Sequence, residues 1–361
     1  MVEQSSQSAP RSRRVLAWGA LIIVTVLAVL AARAVRLPTP EILASMVVGA
    51  AMALTGRAPR TVSAPVSVAA QAVMGVAMGG LVTRDELHAL SQDWPAVLVV
   101  IVITLALSLG SGFLLALHPA VDRVTGVLSM AAGGASGLVA IAGDLGGDAR
   151  VVGTLQYTRV LIITATTPPI AAWLFHAVPG AVPATAAGSW DGMLVSVGCG
   201  VGGLALARLT RMPAGDLLVP MILTAVLGVG GWLPMDPLPG LLVAAAYVVI
   251  GWTATLGFTR TALRNVGRLL PWSMVLLGVL LVVTALAGVW LARVTGQPDL
   301  DGYLATTPGG MMAILAVAAG ADSNVTFITG VQAVRLFLML ALTPLLTRWL
   351  SRRGTHRPDR S

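Results

Sequence analysis

The sequence predicts an all-α, polytopic membrane protein made of two related halves. Hydrophobic residues make up 56% of the 361 residues, charged residues make up 11%, and the mean hydropathy is +0.87. Apolar runs long enough to cross a bilayer recur along the chain. The ten-residue alternation that marks a transmembrane β-barrel is absent. These observations predict the class, and an internal repeat predicts the architecture.

The second half of the chain repeats the first. Residues 126–174 align with residues 302–350 at a constant offset of 176 without a gap, and 13 of the 49 aligned positions are identical. A two-fold repeat in an apolar chain is typical of transporter folds, in which a binding site lies where the halves meet. We therefore expect one five-helix repeat at residues 15–180 and a second at residues 190–350.

Each half contains five apolar runs that predict transmembrane helices. In the first half they are Val15–Ala32, Leu37–Leu54, Ala64–Val82, Trp94–Leu117 and Ala149–Phe175. In the second half they are Met193–Ala207, Leu217–Leu233, Leu238–Phe258, Pro271–Ala292 and Val325–Leu350. Arginines cluster at the ends of the runs, and many tryptophans lie there as interfacial anchors. The first run follows three arginines, as in a signal peptide, but its counterpart in the second half favours a retained span.

A Gly-rich apolar stretch precedes the fifth run of each half, at residues 126–143 and 302–319. If these stretches enter the membrane and return, the chain has ten spans and inverted halves; if they cross it, the chain has twelve spans and parallel halves. Arg150, Arg159 and Arg335 belong to the fifth runs and are left out of the count. With a cytoplasmic N-terminus, ten spans place 16 of the other arginines inside and 4 outside, whereas twelve spans place 12 inside and 8 outside. The positive-inside rule therefore favours ten spans, two re-entrant segments and two inverted repeats. Both polar tails, residues 1–14 and 351–361, are then cytoplasmic.

Arg159 and Arg335 are the first candidates for a binding site. Each lies about 15 Å into its predicted span, where an arginine costs roughly 2.5–3.5 kcal/mol to insert. Gln156 and Gln332 stand three residues earlier, on the same helical face. Two interpretations stay open. The guanidinium–amide pairs bind an anionic group of a solute, or the arginines bond to carbonyl groups of the broken helices or to a nearby carboxylate.

The tips of the Gly-rich stretches are the second candidate for substrate binding. The residues at these tips are Gly133, Gly134 and Ser136 in the first half and Thr307, Gly309 and Gly310 in the second. Adjacent glycines break a helix, and irregular backbone survives in a membrane only inside protein or beside a cavity. Half-helices that meet at such a tip direct backbone N–H groups into the cavity. Close helix packing by small residues is the alternative.

Three acids follow the Gly-rich stretches and are candidates for binding a coupling cation or proton. They are Asp144, Asp148 and Asp322. The favoured alternative is that residues at these positions cap the next helix, with Asp148 before Ala149 or Asn324 before Val325.

These motifs resemble the AbrB-type integral membrane family, whose members contain a duplicated domain. The resemblance rests on the double glycines, on DLGGDARVVGTLQYTRV in the first half and on TTPGGMMAILAVAAGADSNVTFITGVQAVRLF in the second. It implies a location in the bacterial inner (plasma) membrane and an association with regulation of gene expression. Members also carry the label ammonia monooxygenase. The family shares its name with a small soluble DNA-binding transcription factor, but no polar β-rich segment or basic groove is present here.

The side-chain inventory argues against an enzyme. The four histidines are scattered, no HxxxH, CxxC or ExxH motif occurs, and Cys199 is the single cysteine. Copper and iron sites need clustered ligands. We therefore expect no cofactor, no metal and no direct contact with nucleic acid.

The expected partners are a small-molecule solute and the lipid bilayer, and a homo-oligomer is an open alternative. The leading hypothesis is a secondary transporter of a small anionic or zwitterionic solute, driven by an ion gradient because no nucleotide-binding motif occurs. The second hypothesis is a membrane sensor that regulates gene expression indirectly, without transport.

Overall fold

The computed structural model describes most of the chain, and the described part is helical, with no β-strand. The residues that it does not describe are 1–10, 36–39, 57, 60, 120, 133, 177–189, 211–213, 232–235, 257–258, 310–313, 315–316, 319–320, 322 and 355–361.

Each predicted span corresponds to a helix. The first half contains α1 (Arg11–Ala34), α2 (Pro40–Leu54), α3 (Ala64–Gly79), α4 (Arg84–Ala89), α5 (Trp94–Leu115), α6 (Arg123–Met130), α7 (Ala135–Ala142) and α8 (Ala149–Leu174). The second half contains α9 (Trp190–Thr210), α10 (Gly215–Gly230), α11 (Gly240–Thr255), α12 (Arg260–Thr295), α13 (Asp299–Thr306) and α14 (Val325–Gly354).

Some predicted boundaries are wrong. The apolar span of α1 begins at Val15 as predicted, although the helix itself starts at Arg11, and α14 continues to Gly354, beyond the predicted Leu350. The largest error concerns α12, which begins at Arg260 and continues through Pro271, the residue predicted to start it. A proline removes one backbone donor, and an apolar membrane helix tolerates this loss because its neighbours compensate for it.

The apolar helices make this a multi-pass membrane protein. Among the described residues, five helices are long and apolar enough to span a bilayer, and four shorter apolar helices of 10–17 residues accompany them. Helix α8 is also long, with 26 residues, but it is not among these five helices. It carries the polar residues Gln156 and Arg159. Large apolar side chains point outward from the outer helices, for example Leu27 (61% exposed), Val201 (66%) and Leu286 (66%). Lipid, not water, is the environment in which such a surface is stable.

Paired glycines bring α5 against α6 and α12 against α13. A Cβ atom added to Gly126 would lie 2.6 Å from the carbonyl oxygen of Gly112. In the second half, a Cβ atom on Gly302 would clash with the carbonyl oxygen of Gly288. Both residues of the second pair stand 176 positions after those of the first, so the same close crossing occurs in each half.

Helices from different halves also pack closely. Helix α3 runs parallel to α10, since Gly75 contacts Leu217 and Gly79 contacts Met221 and Thr224. Helix α2 runs parallel to α11, since Gly251 contacts Ile42 and Ser45, and Gly49 contacts Thr255.

Helices α5 and α12 pack in opposite directions. The Trp272 indole donates to the Leu114 carbonyl (3.4 Å), while Leu107 packs against the cluster that contains Leu277 and Leu280. As the chain advances along α12, its contacts therefore move back along α5.

Candidate functional site

The Gly-rich stretch of the first half forms two short helices with a break between them. Helix α6 ends at Met130, and Ala131 has an extended ψ of 123°. Helix α7 begins after Gly134, whose φ of +51° lies in the left-handed region that favours glycine. Gly133 lies outside the described residues. The break occurs where the adjacent glycines predicted it.

Arg159 and Gln156 of α8 bond to the end of α6. The Arg159 guanidinium donates to the carbonyl oxygens of Met130 (3.3 Å) and Ala131 (2.8 Å). It also donates to the Gln156 side-chain oxygen. The Gln156 amide donates to the carbonyls of Leu128 (2.6 Å) and Ala131 (3.1 Å). The last carbonyl groups of α6, which have no partner within the helix, are satisfied in this way.

The second half repeats this arrangement. The Arg335 guanidinium donates to the carbonyls of Thr306 (2.6 Å) and Thr307 (3.2 Å). The Gln332 amide donates to the Leu304 carbonyl (2.7 Å). These acceptors stand 176 residues after Met130, Ala131 and Leu128. Thr307 ends α13 with φ −56° and ψ 124°, and Ala131 ends α6 with φ −56° and ψ 123°.

The hydrogen bonds of both arginines are those of the second interpretation, in which they bond to carbonyl groups of the broken helices, and binding of a solute's anionic group stays a prediction. Both side chains are 4% exposed, and the Nε atom of each is enclosed without a hydrogen-bond partner. A cation at a helix C-terminus stabilises the negative end of the helix dipole. The two guanidinium groups cap the C-terminal ends of α6 and α13.

The two breaks contact the opposite halves. Gly134 lies against Leu336 and Leu340 of α14, since an added Cβ atom would be 3.4 Å from both side chains. Gly309 lies against Ile163 of α8. Helix α14, which carries Arg335, packs against α6, whose end is bonded to Arg159. We call this region, comprising both breaks and both Arg–Gln pairs, the crossover.

The remaining predicted binding residues lie at the crossover or outside the described residues. Ser136 is buried in the first turn of α7. Thr307 is 1% exposed, and its hydroxyl donates to the Tyr303 carbonyl (2.6 Å). The Gly309 N–H donates to the Thr307 carbonyl (2.9 Å). Gly310 lies outside the described residues.

Sequence analysis missed two tyrosines at this site. The hydroxyls of Tyr157 and Tyr247 both interact with the Ser136 hydroxyl. The chain has three tyrosines, so the convergence of two of them on one turn is notable. The sequence could have indicated Tyr157, because it directly follows Gln156. It could not have indicated Tyr247, because the approach of this residue on α11 depends on the tertiary fold.

The predicted ion-binding acids have different environments. Asp148 caps α8, because its carboxylate accepts from the Arg150 N–H (2.9 Å), and it also pairs with the Arg150 guanidinium (3.1 Å). Asn324 caps α14 in the same way, accepting from the Phe327 N–H (3.1 Å). The capping alternative is therefore the arrangement found at both positions. Asp322 lies outside the described residues.

Asp144 lies in the turn after α7, outside the apolar spans. Its carboxylate accepts from the Gln71 amide (3.4 Å). Burial raises the pKa of Asp144, the Gln71 hydrogen bond lowers it, and the charge of Asp216 raises it. A carboxyl group with a raised pKa accepts a proton more readily. Its role as a coupling site stays a prediction.

Asp301, near the start of α13, was not among the predicted acids, although it is 1% exposed. One of its oxygens accepts from the Asn324 N–H (2.9 Å). Over the described part of the chain, no group of three or more His, Cys, Asp or Glu side chains is placed to hold a metal ion.

Fold and site together define a helical, multi-pass membrane protein with a broken helix, α6–α7, in its first half and a short helix, α13, that ends in the same way in its second half. The profile of the family described as "Transition state regulatory protein AbrB" matches residues 51–351, and the chain belongs to this family. It is 32% identical over 357 residues to "Putative regulator AbrB" of Escherichia coli (strain K12), covering 96% of this chain and 99% of that protein. It is 26% identical over 304 residues to "Uncharacterized protein YhjN" of Bacillus subtilis (strain 168), covering 78% and 77% of the two chains.

Proposed function

We propose that this protein is a secondary transporter of a small anionic or zwitterionic solute, driven by an ion gradient. It has ten spans and two re-entrant broken helices, α6–α7 and the segment that begins with α13. The halves are inverted repeats, and the solute binds at the crossover between them.

The helix directions support the inverted arrangement. Helices α5 and α12 are equivalent in the repeat, since Gly112 and Gly288 stand 176 residues apart, and they pack in opposite directions. Equivalent helices run in opposite directions when the two-fold axis lies in the membrane plane. Consecutive spans alternate in direction, so an inverted repeat of five spans makes α2 parallel to α11 and α3 parallel to α10. The two observed parallel pairs agree with this arrangement.

The charge of the crossover is the observation that carries the proposal. It contains two buried guanidinium groups, and no carboxylate of the described residues bonds to either one. The guanidinium groups neutralise the negative ends of α6 and α13. The positive N-terminal end of α7 has no side-chain cap and remains uncompensated. A bound anion restores neutrality where burial makes an unbalanced charge costly.

The position of the solute follows from this charge distribution. Its anionic group accepts hydrogen bonds from the first N–H groups of α7 and from Ser136. Arg159 and Arg335 act from behind the helix ends, where they supply positive potential and hold the half-helices in place. This assignment changes the role first considered for the arginines from direct ligands to electrostatic and positioning residues.

Uptake into proteoliposomes tests the proposal, with labelled small carboxylates, amino acids, phosphate and sulfate as probes. Wild-type protein should take up at least one probe saturably under an imposed sodium or proton gradient. Arg159→Gln and Arg335→Gln should reduce this uptake strongly, since each removes one buried charge. Ser136→Ala should weaken it through a higher KM while the arginine caps stay intact.

Arg150→Gln is the matched control, because Arg150 lies on the same helix as Arg159 but pairs with Asp148. It should transport like the wild type. Thermal unfolding in detergent shows whether each variant is folded. Wild-type rates in both folded Arg159→Gln and Arg335→Gln, or no gradient-dependent uptake of any probe, would contradict the proposal.

A second candidate is a membrane sensor that binds the solute without moving it and acts indirectly on gene expression. The name of the Escherichia coli relative, "Putative regulator AbrB", favours it. A sensor would bind a probe with no flux, and a regulator that uses its C-terminal tail would lose its effect when residues 351–361 are deleted. A transporter should keep its uptake after that deletion.

A further inference from the structure

Asp301 is a buried carboxylate with an unused oxygen. Its Oδ2 atom accepts from the Asn324 N–H at 2.9 Å, whereas its Oδ1 atom is enclosed without a hydrogen-bond partner. The hydroxyl of Ser323, the residue before Asn324, is enclosed and unpartnered as well. Buried polar atoms are nearly always bonded, so two orphans at one turn need an explanation.

The repeat supplies an internal comparison. Thr125 stands 176 residues before Asp301, and its hydroxyl accepts from the Asp148 N–H at 2.9 Å. That bond is the counterpart of the one between Asp301 and Asn324. A neutral oxygen is therefore sufficient to join the short helix to the long helix. The negative charge of Asp301 and its second oxygen are not required for this contact.

An uncompensated carboxylate in this position is costly. Among the described residues, the nearby guanidinium of Arg293 is 3.7 Å from Asp299 and is exposed, and no cation pairs with Asp301. The N-terminal end of α14 offers partial compensation through its dipole. An enclosed ionised carboxylate normally requires a full counter-charge or a bound cation.

We infer that Asp301 and Ser323 bind a small monovalent cation, with sodium as the fitting case. Hard cations prefer carboxylate, hydroxyl and amide oxygens. Asp301 Oδ1 and Ser323 Oγ are unoccupied ligands of this kind, and the Gln297 side-chain oxygen accepts from the side-chain amide of Asn324, the residue after Ser323 (3.3 Å). One carboxylate matches one positive charge. This inference rests on the proposed function, for which the cation is the coupling ion.

Sodium alone is the probe for the test. Binding is followed by titration calorimetry on the full chain in detergent, and by thermal unfolding in sodium chloride against choline chloride at equal ionic strength. Wild-type protein should bind sodium saturably and unfold at a higher temperature when it is present. Asp301→Thr copies the residue of the first half, so the cap is retained and the sodium response should be lost.

Two further variants keep the test decisive. Ser323→Ala leaves the Asp301 cap in place and should weaken sodium binding, even if Asp301→Thr fails to fold. Asp299→Asn removes a half-buried acid two residues from Asp301 and should respond to sodium like the wild type.

A sodium response that persists in folded Asp301→Thr and in Ser323→Ala would overturn the inference. So would stabilisation of the wild type that follows pH and not sodium. A missing sodium response with intact anion uptake would count against this site alone. An intact sodium response without anion uptake would count against the proposed transport function.

Discussion

At the scale of single residues, the buried Arg–Gln pairs explain how a membrane protein keeps helices that end inside it. The C-terminal carbonyls of α6 and α13 have no water to bond to, and each unsatisfied group would cost several kcal/mol. A guanidinium supplies several charged donors in a fixed geometry. The glutamine three residues earlier adds an amide donor. The same groups leave the crossover positively charged, so the structural and functional roles of the arginines are compatible.

The two glutamines should differ in their contribution to stability. Gln156 donates to two carbonyls and accepts from Arg159, whereas Gln332 donates to the Leu304 carbonyl. At about 0.5–1.5 kcal/mol for each neutral hydrogen bond and about 1.5–3 kcal/mol for the charged one, Gln156→Ala should reduce the free energy of unfolding by about 2.5–6 kcal/mol. Gln332→Ala should cost about a quarter as much, since it removes one neutral bond. Denaturation in mixed micelles measures both, and equal losses would contradict this account of the bonds.

At the scale of helices, glycine pairs set the distance between each short helix and its neighbour. Without side chains at Gly112, Gly126, Gly288 and Gly302, the backbones of α5 and α6 and of α12 and α13 come into direct contact. Van der Waals packing between small residues is a main source of helix association in membranes. The close contact fixes where α6 and α13 end, and therefore where their carbonyls meet the arginines.

Adding one methyl group at these crossings should be destabilising. In Gly302→Ala the new Cβ atom meets a backbone carbonyl, which has no rotamer to relax into, and a loss of about 1–3 kcal/mol is expected. Gly278→Ala is the control on α12, since nothing lies within 4 Å of an added Cβ atom there. Gly126→Ala and Gly110→Ala form the same comparison in the first half. Thermal unfolding in detergent separates the pairs, and equal melting temperatures within a pair would show that the contact is loose.

At the scale of the whole molecule, much of the fold could be predicted from the sequence because the repeat shows the same pattern of elements in both halves. Apolar runs locate the helices, and the double glycine locates the break at Gly134. The predicted start of α12 at Pro271 was wrong. In a sequence a proline indicates the start of a helix, but in the structure the helix continues through this residue. The sequence left open whether Arg159 faces a solute or the end of a helix. The spacing of residues shows which of them share a face of a helix, but it does not show which group that face contacts.

Two features of the site depended on tertiary structure. Tyr247 approaches Ser136 from α11, more than one hundred residues away in sequence. Asp301 precedes its Gly-rich tip, whereas the predicted acids followed the tips. Its importance becomes visible when it is compared with Thr125 through the bonds that both make to the next helix.

The central claim is that two inverted repeats bring both capped half-helices to one crossover. Single cysteines at Thr55 and Leu209, in a Cys199→Ala background, test it through labelling with a membrane-impermeant maleimide in vesicles of known orientation. Both positions are exposed at helix ends. Inverted repeats require both to react from the cytoplasmic face, with a cysteine at Pro237 reacting from the opposite face. Reaction of Thr55→Cys and Leu209→Cys from opposite faces would mean that the halves are parallel, and would contradict the account.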